Sequence, residues 1–141
     1  MLERDYIMRL IREFLAALAR LLGLLEKKEM TDRHEELKKL YDQYVGSYTF
    51  YHLAPVEKVI EALGQEDEEK RFYKMEMLAE LYLAEADMVS KPEGGQLLEK
   101  SFALFDFLDH YSKTYSIDRI KKMDGIRQRL SNNNRNETKT T

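Results

Sequence analysis

Cysteine is absent from the 141 residues, which removes disulfides, thiolate catalysis and cysteine-type zinc sites together and suits a reducing, cytoplasmic setting. An excess of one charge is absent too. The 23 basic and 26 acidic residues leave a formal net charge of −3, so the chain as a whole has no pull toward nucleic acid or anionic membrane. No apolar run reaches spanning length. Phe14 to Leu25 is rich in Leu and Ala, but Glu3, Arg4 and Asp5 precede it, and Arg12, Glu13 and Arg20 interrupt the region. That composition fits neither a secretory signal nor a transmembrane helix, and the segment reads as part of the mature fold. Without a secretion signal, the glycosylation-type triplet Asn136-Glu137-Thr138 carries no chemical consequence.

Catalytic and ligand signatures are scarce. The residues three before His34, His52 and His110 are Thr31, Thr49 and Phe107, so the Glu-x-x-His pairs that build di-iron sites in helical bundles are missing. Gly94-Gly95 has neither a preceding strand nor a following Lys-Ser/Thr, which excludes a phosphate loop, and no nucleophile elbow occurs. Asp106 and His110 share a helix face and read as an exposed ion pair, since two ligands do not make a metal site. Glu76, Glu80 and Glu85, with Arg71 and Lys74 nearby, read as a solvated charged face. The alternative for these carboxylates is general acid–base work or binding of a hard cation. No catalytic, cofactor or metal residue is assigned.

Helical periodicity is abundant. Ile7, Ile11, Phe14, Leu18, Leu21 and Leu25 form a seam over a first helix expected from Glu3 to Lys27. Leu10, Leu15, Leu22, Ala16, Ala17 and Ala19 widen it, as expected of a helix that meets neighbours on two sides or forms a homodimer. Asp32 and Glu35 offer a capping signal for a second helix, whose inward face reads Leu37, Tyr41, Tyr44, Tyr48 and Tyr51 and which Gly46 loosens or bends. Pro55 suits the first turn of a third helix carrying Val56, Val59, Ile60 and Leu63, ended by Gly64. The acidic run from Gln65 to Glu69, with Glu66, Asp67, Glu68 and Glu69, complements the start of a fourth, on which Phe72, Met75, Ala79, Tyr82, Ala86 and Val89 share a face. After Pro92, Gly94 and Gly95 comes a fifth helix with Leu97, Leu98, Phe102, Leu104, Phe105, Leu108 and Tyr111. Ser116 caps a sixth bearing Ile117, Ile120, Met123, Ile126 and Leu130.

No segment has a period-two strand pattern bounded by turns, and Tyr48 to Leu53 follows the helical spacing equally well. The fold class is therefore all-α: antiparallel helix hairpins in a right-handed array or an irregular bundle of about six helices. Residues 1–130 read as one domain. Residues 131–141, which offer nothing to bury, read as a disordered polar tail.

Leu78, Ala79 and Tyr82, followed by Ser101, Phe105 and Leu108, resemble the small and aromatic positions of a tetratricopeptide hairpin, although the interval from Tyr82 to Ser101 is longer than the 34-residue repeat allows. The stretch Asp5-Tyr6-Ile7-Met8-Arg9-Leu10-Ile11 and the segment from Ala103-Leu104-Phe105-Asp106 to Ser112-Lys113-Thr114-Tyr115-Ser116 resemble a family of small, uncharacterised bacterial helical proteins. That resemblance spans nearly the whole chain and implies no activity.

The tyrosines Tyr41, Tyr44, Tyr48 and Tyr51 either line a groove that grips a peptide or pack as core with hydroxyls at the rim. Residues 113–135 carry a local charge of +5, and Arg119 and Lys122 of the last helix are candidates to meet an acidic partner or phosphates. The alternative is a capping helix whose outer face keeps the end of the array soluble. The expected function is a non-enzymatic protein–protein interaction module. It would hold a protein or peptide partner, or itself through helix one. A carboxylate-based metal protein or enzyme, or a nucleic-acid or membrane-surface binder, is the alternative.

Overall fold

Apolar residues recurring at three and four can be buried only if helices lie against one another, and the computed structural model has that form. It describes residues 2–24 and 30–139. Seven helices follow in order among them: α1 Leu2–Leu24, α2 Met30–Tyr44, α3 Tyr48–Leu53, α4 Val56–Leu63, α5 Glu68–Ala86, α6 Glu93–Tyr111 and α7 Ile117–Lys139. No strand occurs among the described residues. The expected fold class is observed. No described helix is long and apolar enough to cross a membrane.

α5 is the hub. It packs along α6 and also touches α1, α2 and α4, while α7 lies against α6. Its Met75, Met77, Leu78, Ala79, Leu81 and Tyr82 have essentially no exposed surface. The α5/α6 approach is close because small residues meet there: Ser101 Oγ donates to the Ala79 carbonyl at 2.7 Å. At the other end of the hairpin, a Cβ added to Gly94 would lie 3.1 Å from the Ala86 carbonyl oxygen.

Several local signals act as expected. Gly64 ends α4, Ser116 Oγ accepts from the Arg119 N–H, and the acidic run stands at the start of α5; Pro55, expected in the first turn of α4, instead precedes it, and within the acidic run Asp67 caps α5 by accepting from the Lys70 N–H. Others are corrected. α2 begins at Met30, so Asp32 lies inside its first turn and not at its cap. α1 ends at Leu24, and residues 25–27 lie outside the described residues. α5 ends at Ala86 with Asp87 as its C-cap, short of Val89.

Gly46 does more than bend the second helix. Its φ of +148° is a glycine conformation, and the chain breaks there into α2 and the separate short helix α3. The residues from 131, expected to be disordered, continue α7 as far as Lys139. No Pro or Gly follows Ile126 to stop the helix, and extension costs little once a helix is nucleated on Met123 and Ile126, which are buried.

Gly46 is accordingly predicted to resist substitution. An added Cβ would also sit 3.1 Å from the Tyr51 ring. Gly46→Ala should lower stability by about 1–3 kcal/mol, read as an earlier midpoint in urea denaturation with an unchanged slope.

Candidate functional site: a buried carboxylate

The chemistry of the interior converges on Glu85. The sequence places it three residues after Tyr82, on the side of α5 that carries Leu78 and Leu81, and its side chain has no exposed surface. A buried carboxylate needs donors or counter-charge, because desolvating an unpaired ion costs far more than a folded domain can offset. Two tyrosines supply donors. Tyr41 of α2 donates to Oε1 at 2.7 Å and Tyr48 of α3 donates to Oε2 at 2.5 Å. Two histidines stand beside them: His52 Nδ1 lies 2.9 Å and His34 Nε2 3.5 Å from Oε2.

Spacing explains the convergence. His34, Tyr41 and Tyr48 recur every seven residues, so α2 and the start of α3 present them toward α5 in one line. His52 follows Tyr48 by one helical turn, and the two rings stack at 5.0 Å.

The outer layer belongs to α6. His52 Nε2 lies 3.1 Å from Glu93 Oε1, so the imidazole bridges a buried and a half-exposed carboxylate. Lys100 donates to the carbonyls of Tyr51 at 2.9 Å and His52 at 3.1 Å, closing the C-terminal end of α3, and its ammonium stacks 4.6 Å over the Tyr82 ring. Burial holds the Lys100 ammonium below its ordinary range, partly offset by the charge of Glu85. Tyr82 donates to the same Tyr51 carbonyl at 2.6 Å. A cleft of about 410 Å³ opens beside this layer, lined by His52, Leu53, Glu93, Leu97 and Lys100 among others.

Glu85 has no exposed surface and lines none of the clefts described for the chain. Among the described residues, no three His, Asp or Glu side chains are arranged to hold a metal ion. What the arrangement does is fasten α2, α3 and α5 at one point.

The residues expected to bind a partner are placed differently from one another. Tyr41, Tyr44 and Tyr51 are buried and Tyr48 is half-buried. Tyr44 packs edge-on against Phe14 of α1 at 5.3 Å, while Tyr41 and Tyr48 meet edge-on at 4.9 Å. The stripe is packed against the bundle, with Tyr48 its half-buried member.

Arg119 is 2% exposed; it donates to the Thr114 carbonyl at 2.5 Å and faces Asp109 at 3.4 Å and Glu76 at 3.8 Å. Lys122 is paired with Glu80 and, at 3.1 Å, with Asp118. Burial pushes its ammonium down, but those two carboxylates outweigh the effect and raise it. Arg129 pairs with Asp87 at 2.6 Å and Arg127 with Asp124 at 3.2 Å. Much of the positive charge of α7 is therefore spent within the molecule.

The reading of Glu76, Glu80 and Glu85 as one solvated face is corrected. Glu85 is core, Glu80 is bound to α7, and Glu76 is partly buried beside Arg119, with its carboxyl raised chiefly by burial. Asp106 and His110 do form the expected exposed pair at 3.5 Å. The signal that could have found Glu85 is its place one turn from Leu81 and Tyr82 and two turns from Leu78, where a charged residue interrupts an apolar face.

No protein-family model, curated protein or solved structure matches the chain.

Two predictions follow from the carboxylate. Tyr41→Phe removes one donor to a buried charge and should cost about 1.5–3 kcal/mol, measured by chemical denaturation. Burial, followed by the charge of Glu85, raises the Tyr41 phenol well above its ordinary range, and burial likewise raises Tyr48 and Tyr82. The unfolded chain then loses these protons first. Stability from the three phenols should be complete below about pH 10 and fall as pH rises past it, seen as loss of helical circular dichroism together with tyrosinate absorbance.

Proposed function

We propose that the chain is a non-enzymatic helical interaction module that pairs with a second copy of itself through α1. The observation that carries this reading is an apolar stripe on α1 that the chain's own core does not cover. Met8 and Leu15 are each 46% exposed and Leu22 is 41% exposed. They recur every seven residues, as in a helix–helix seam. Tyr6, on another side of the helix, is also exposed.

Three features favour a second copy as the occupant. The stripe is symmetric about Leu15, so an antiparallel two-fold pairing sets Leu15 against its own counterpart and Met8 against Leu22 of the other copy. The second half of α1 exposes the small residues Ala16, Ala19 and Gly23, while the first half exposes Arg9 and Arg12, so long side chains of one copy would lie over small ones of the other. A Cβ on Gly23 would meet nothing, so the chain's own packing does not require glycine there. Beside the stripe runs a shallow groove toward α5, floored by Ile11, Phe14, Tyr73 and Met77, which such a pairing would cover.

The order of contacts, α1 with α2, α2 with α5, α5 with α6 and α6 with α7, supports a hairpin array of tetratricopeptide type interrupted by α3 and α4. The pairing of α7's cations within the molecule weighs against phosphate binding through that helix.

Because the chain has no cysteine, single-cysteine variants test the pairing directly. Leu15→Cys should give a disulfide-linked dimer under mild oxidation, whereas Met8→Cys and Leu22→Cys should each resist it alone and crosslink when mixed. Leu15→Glu should convert a sedimenting dimer to monomer while changing stability by no more than about 0.5 kcal/mol. A wild-type monomer at high concentration, or equal crosslinking of all three single variants, would refute the pairing.

A further inference from the structure

The cleft of about 410 Å³ beside α3 is of a size that takes a small ligand, and its walls come from α3, the turn into α4 and α6. No residue of α1 lines it, so an occupant does not compete with pairing through that helix. On α6, Glu93, Gln96, Leu97 and Lys100 stand at i, i+3, i+4 and i+7. They form a single stripe with an acid at one end, a base at the other and an apolar residue between. On the side of α3 and α4, Leu53 is 74% exposed and Pro55 is exposed too.

The base has no acidic partner. Lys100 uses two of its three N–H groups on the Tyr51 and His52 carbonyls, and its ammonium lies over the Tyr82 ring. Among the described residues no carboxylate stands within ion-pair distance of it. Other inward-facing cations differ in this respect: Lys74 pairs with Glu66, Lys122 with Glu80 and Arg119 with Asp109. Neutral oxygens and a ring leave the charge of Lys100 without a counter-ion. Burial accordingly holds its ammonium below the ordinary range, despite the nearby charge of Glu85.

The acid at the far end is also open to a partner. Glu93 is half-exposed, and His52 Nε2 lies 3.1 Å from its Oε1. Its Oε2 has no hydrogen-bond or ion-pair partner among the described residues.

We propose that this cleft binds a small ω-amino acid, whose carboxylate meets Lys100, whose ammonium meets Glu93 and whose methylene chain lies over Leu97 and against Leu53 and Pro55. Both charged ends are needed. A simple carboxylate would satisfy Lys100 but bring like charge to Glu93, and a simple amine would do the reverse. The spacing selects the class. Seven residues of α6 separate the Cα atoms of Glu93 and Lys100 by about 10 Å, at 1.5 Å per residue. An α-amino acid carries both charges on one carbon and reaches one end only, whereas a chain of several methylenes between its charges reaches both. The apolar wall between the ends favours methylenes over a polar spacer.

The test is a titration of the full chain followed by amide chemical shifts. The probe is ε-aminocaproate, and the controls are its isomer norleucine, caproate and hexylamine. The probe should shift the amides of residues 52–54 and 93–100 saturably, with a midpoint of about 1 mM. Each control should bind at least roughly tenfold more weakly, the loss of about one charge-assisted hydrogen bond. Glu93→Gln should remove the preference for ε-aminocaproate over caproate, and Lys100→Met the preference over hexylamine. Should Lys100→Met fail to fold, the Glu93→Gln titration and the wild-type hexylamine control decide alone, since Glu93 is half-exposed and its replacement leaves the core untouched. Shifts at the cleft that do not saturate, equal binding of caproate, hexylamine or norleucine, or a preference for ε-aminocaproate that survives Glu93→Gln would overturn the proposal.

Discussion

The structure depends on keeping one carboxylate dry. Glu85 sits on the most buried helix with no exposed surface, and an isolated anion there would cost several kcal/mol or more even after relaxation. Everything placed around it lowers that cost: two phenols at hydrogen-bond distance, one imidazole in direct contact and a second just beyond. These donors come from two other helices, so the carboxylate can be satisfied only when α2, α3 and α5 occupy their native positions together. A core made only of leucine and methionine would tolerate a shift of α2 by one turn at modest loss. The Glu85 cluster does not, because a shifted α2 would carry Tyr41 out of reach and leave the charge bare. On this reading the polar cluster contributes the register of the helices more than it contributes net stability.

The same logic, in weaker form, fixes α7. Its apolar side offers Met123 and Ile126 to the core, a narrow stripe for a helix of its length. Charges complete the attachment, from Arg119 to Glu76 and Asp109, Lys122 to Glu80, and Arg129 to Asp87. Arg119 also holds the loop before α7 through the Thr114 carbonyl and is itself nearly inaccessible. α5 therefore carries acids on two sides with different fates. Glu85 faces α2 and α3 and is satisfied mainly by neutral donors, whereas Glu76 and Glu80 face α7 and are satisfied by cations.

Much of the architecture is legible in the sequence because it is written in apolar spacing. The seam Phe14, Leu18 and Leu21 and the stripe Leu97, Leu98, Leu104, Phe105 and Leu108 are both buried as their periodicity requires. Pro55, Gly64, Asp67 and Ser116 mark helix ends through chemistry confined to a few neighbouring residues. Gly46 is read as a bend but not as a break, because positive φ is a property of the finished turn and glycine tolerates either outcome. The extension of α7 past Leu130 escapes a reading based on burial, since a helix once started can run on through polar residues with no partner. Glu85 escapes for a deeper reason. On a single helix a glutamate among Glu76 and Glu80 looks like part of a charged face, and only the tyrosines and histidines brought from 33 to 51 residues away distinguish it.

The histidines make the same point from the other side. Tested against metal motifs, His34 and His52 fail at the level of local spacing, because neither has a carboxylate one turn before it. Their relation to Glu85 is tertiary and joins α2 and α3 to α5. Aromatic residues at helical spacing are ordinarily core, and here most are, yet three of the hydroxyls that accompany them serve the buried charge or the backbone of α3. That combination explains why the stripe from Tyr41 to Tyr51 continues across the break at Gly46. The rings demand burial and the hydroxyls demand Glu85 or a carbonyl, so α3 must resume the line that α2 leaves, although the backbone between them has turned. A phenylalanine stripe would satisfy the first demand alone and would leave α3 with little to hold its place.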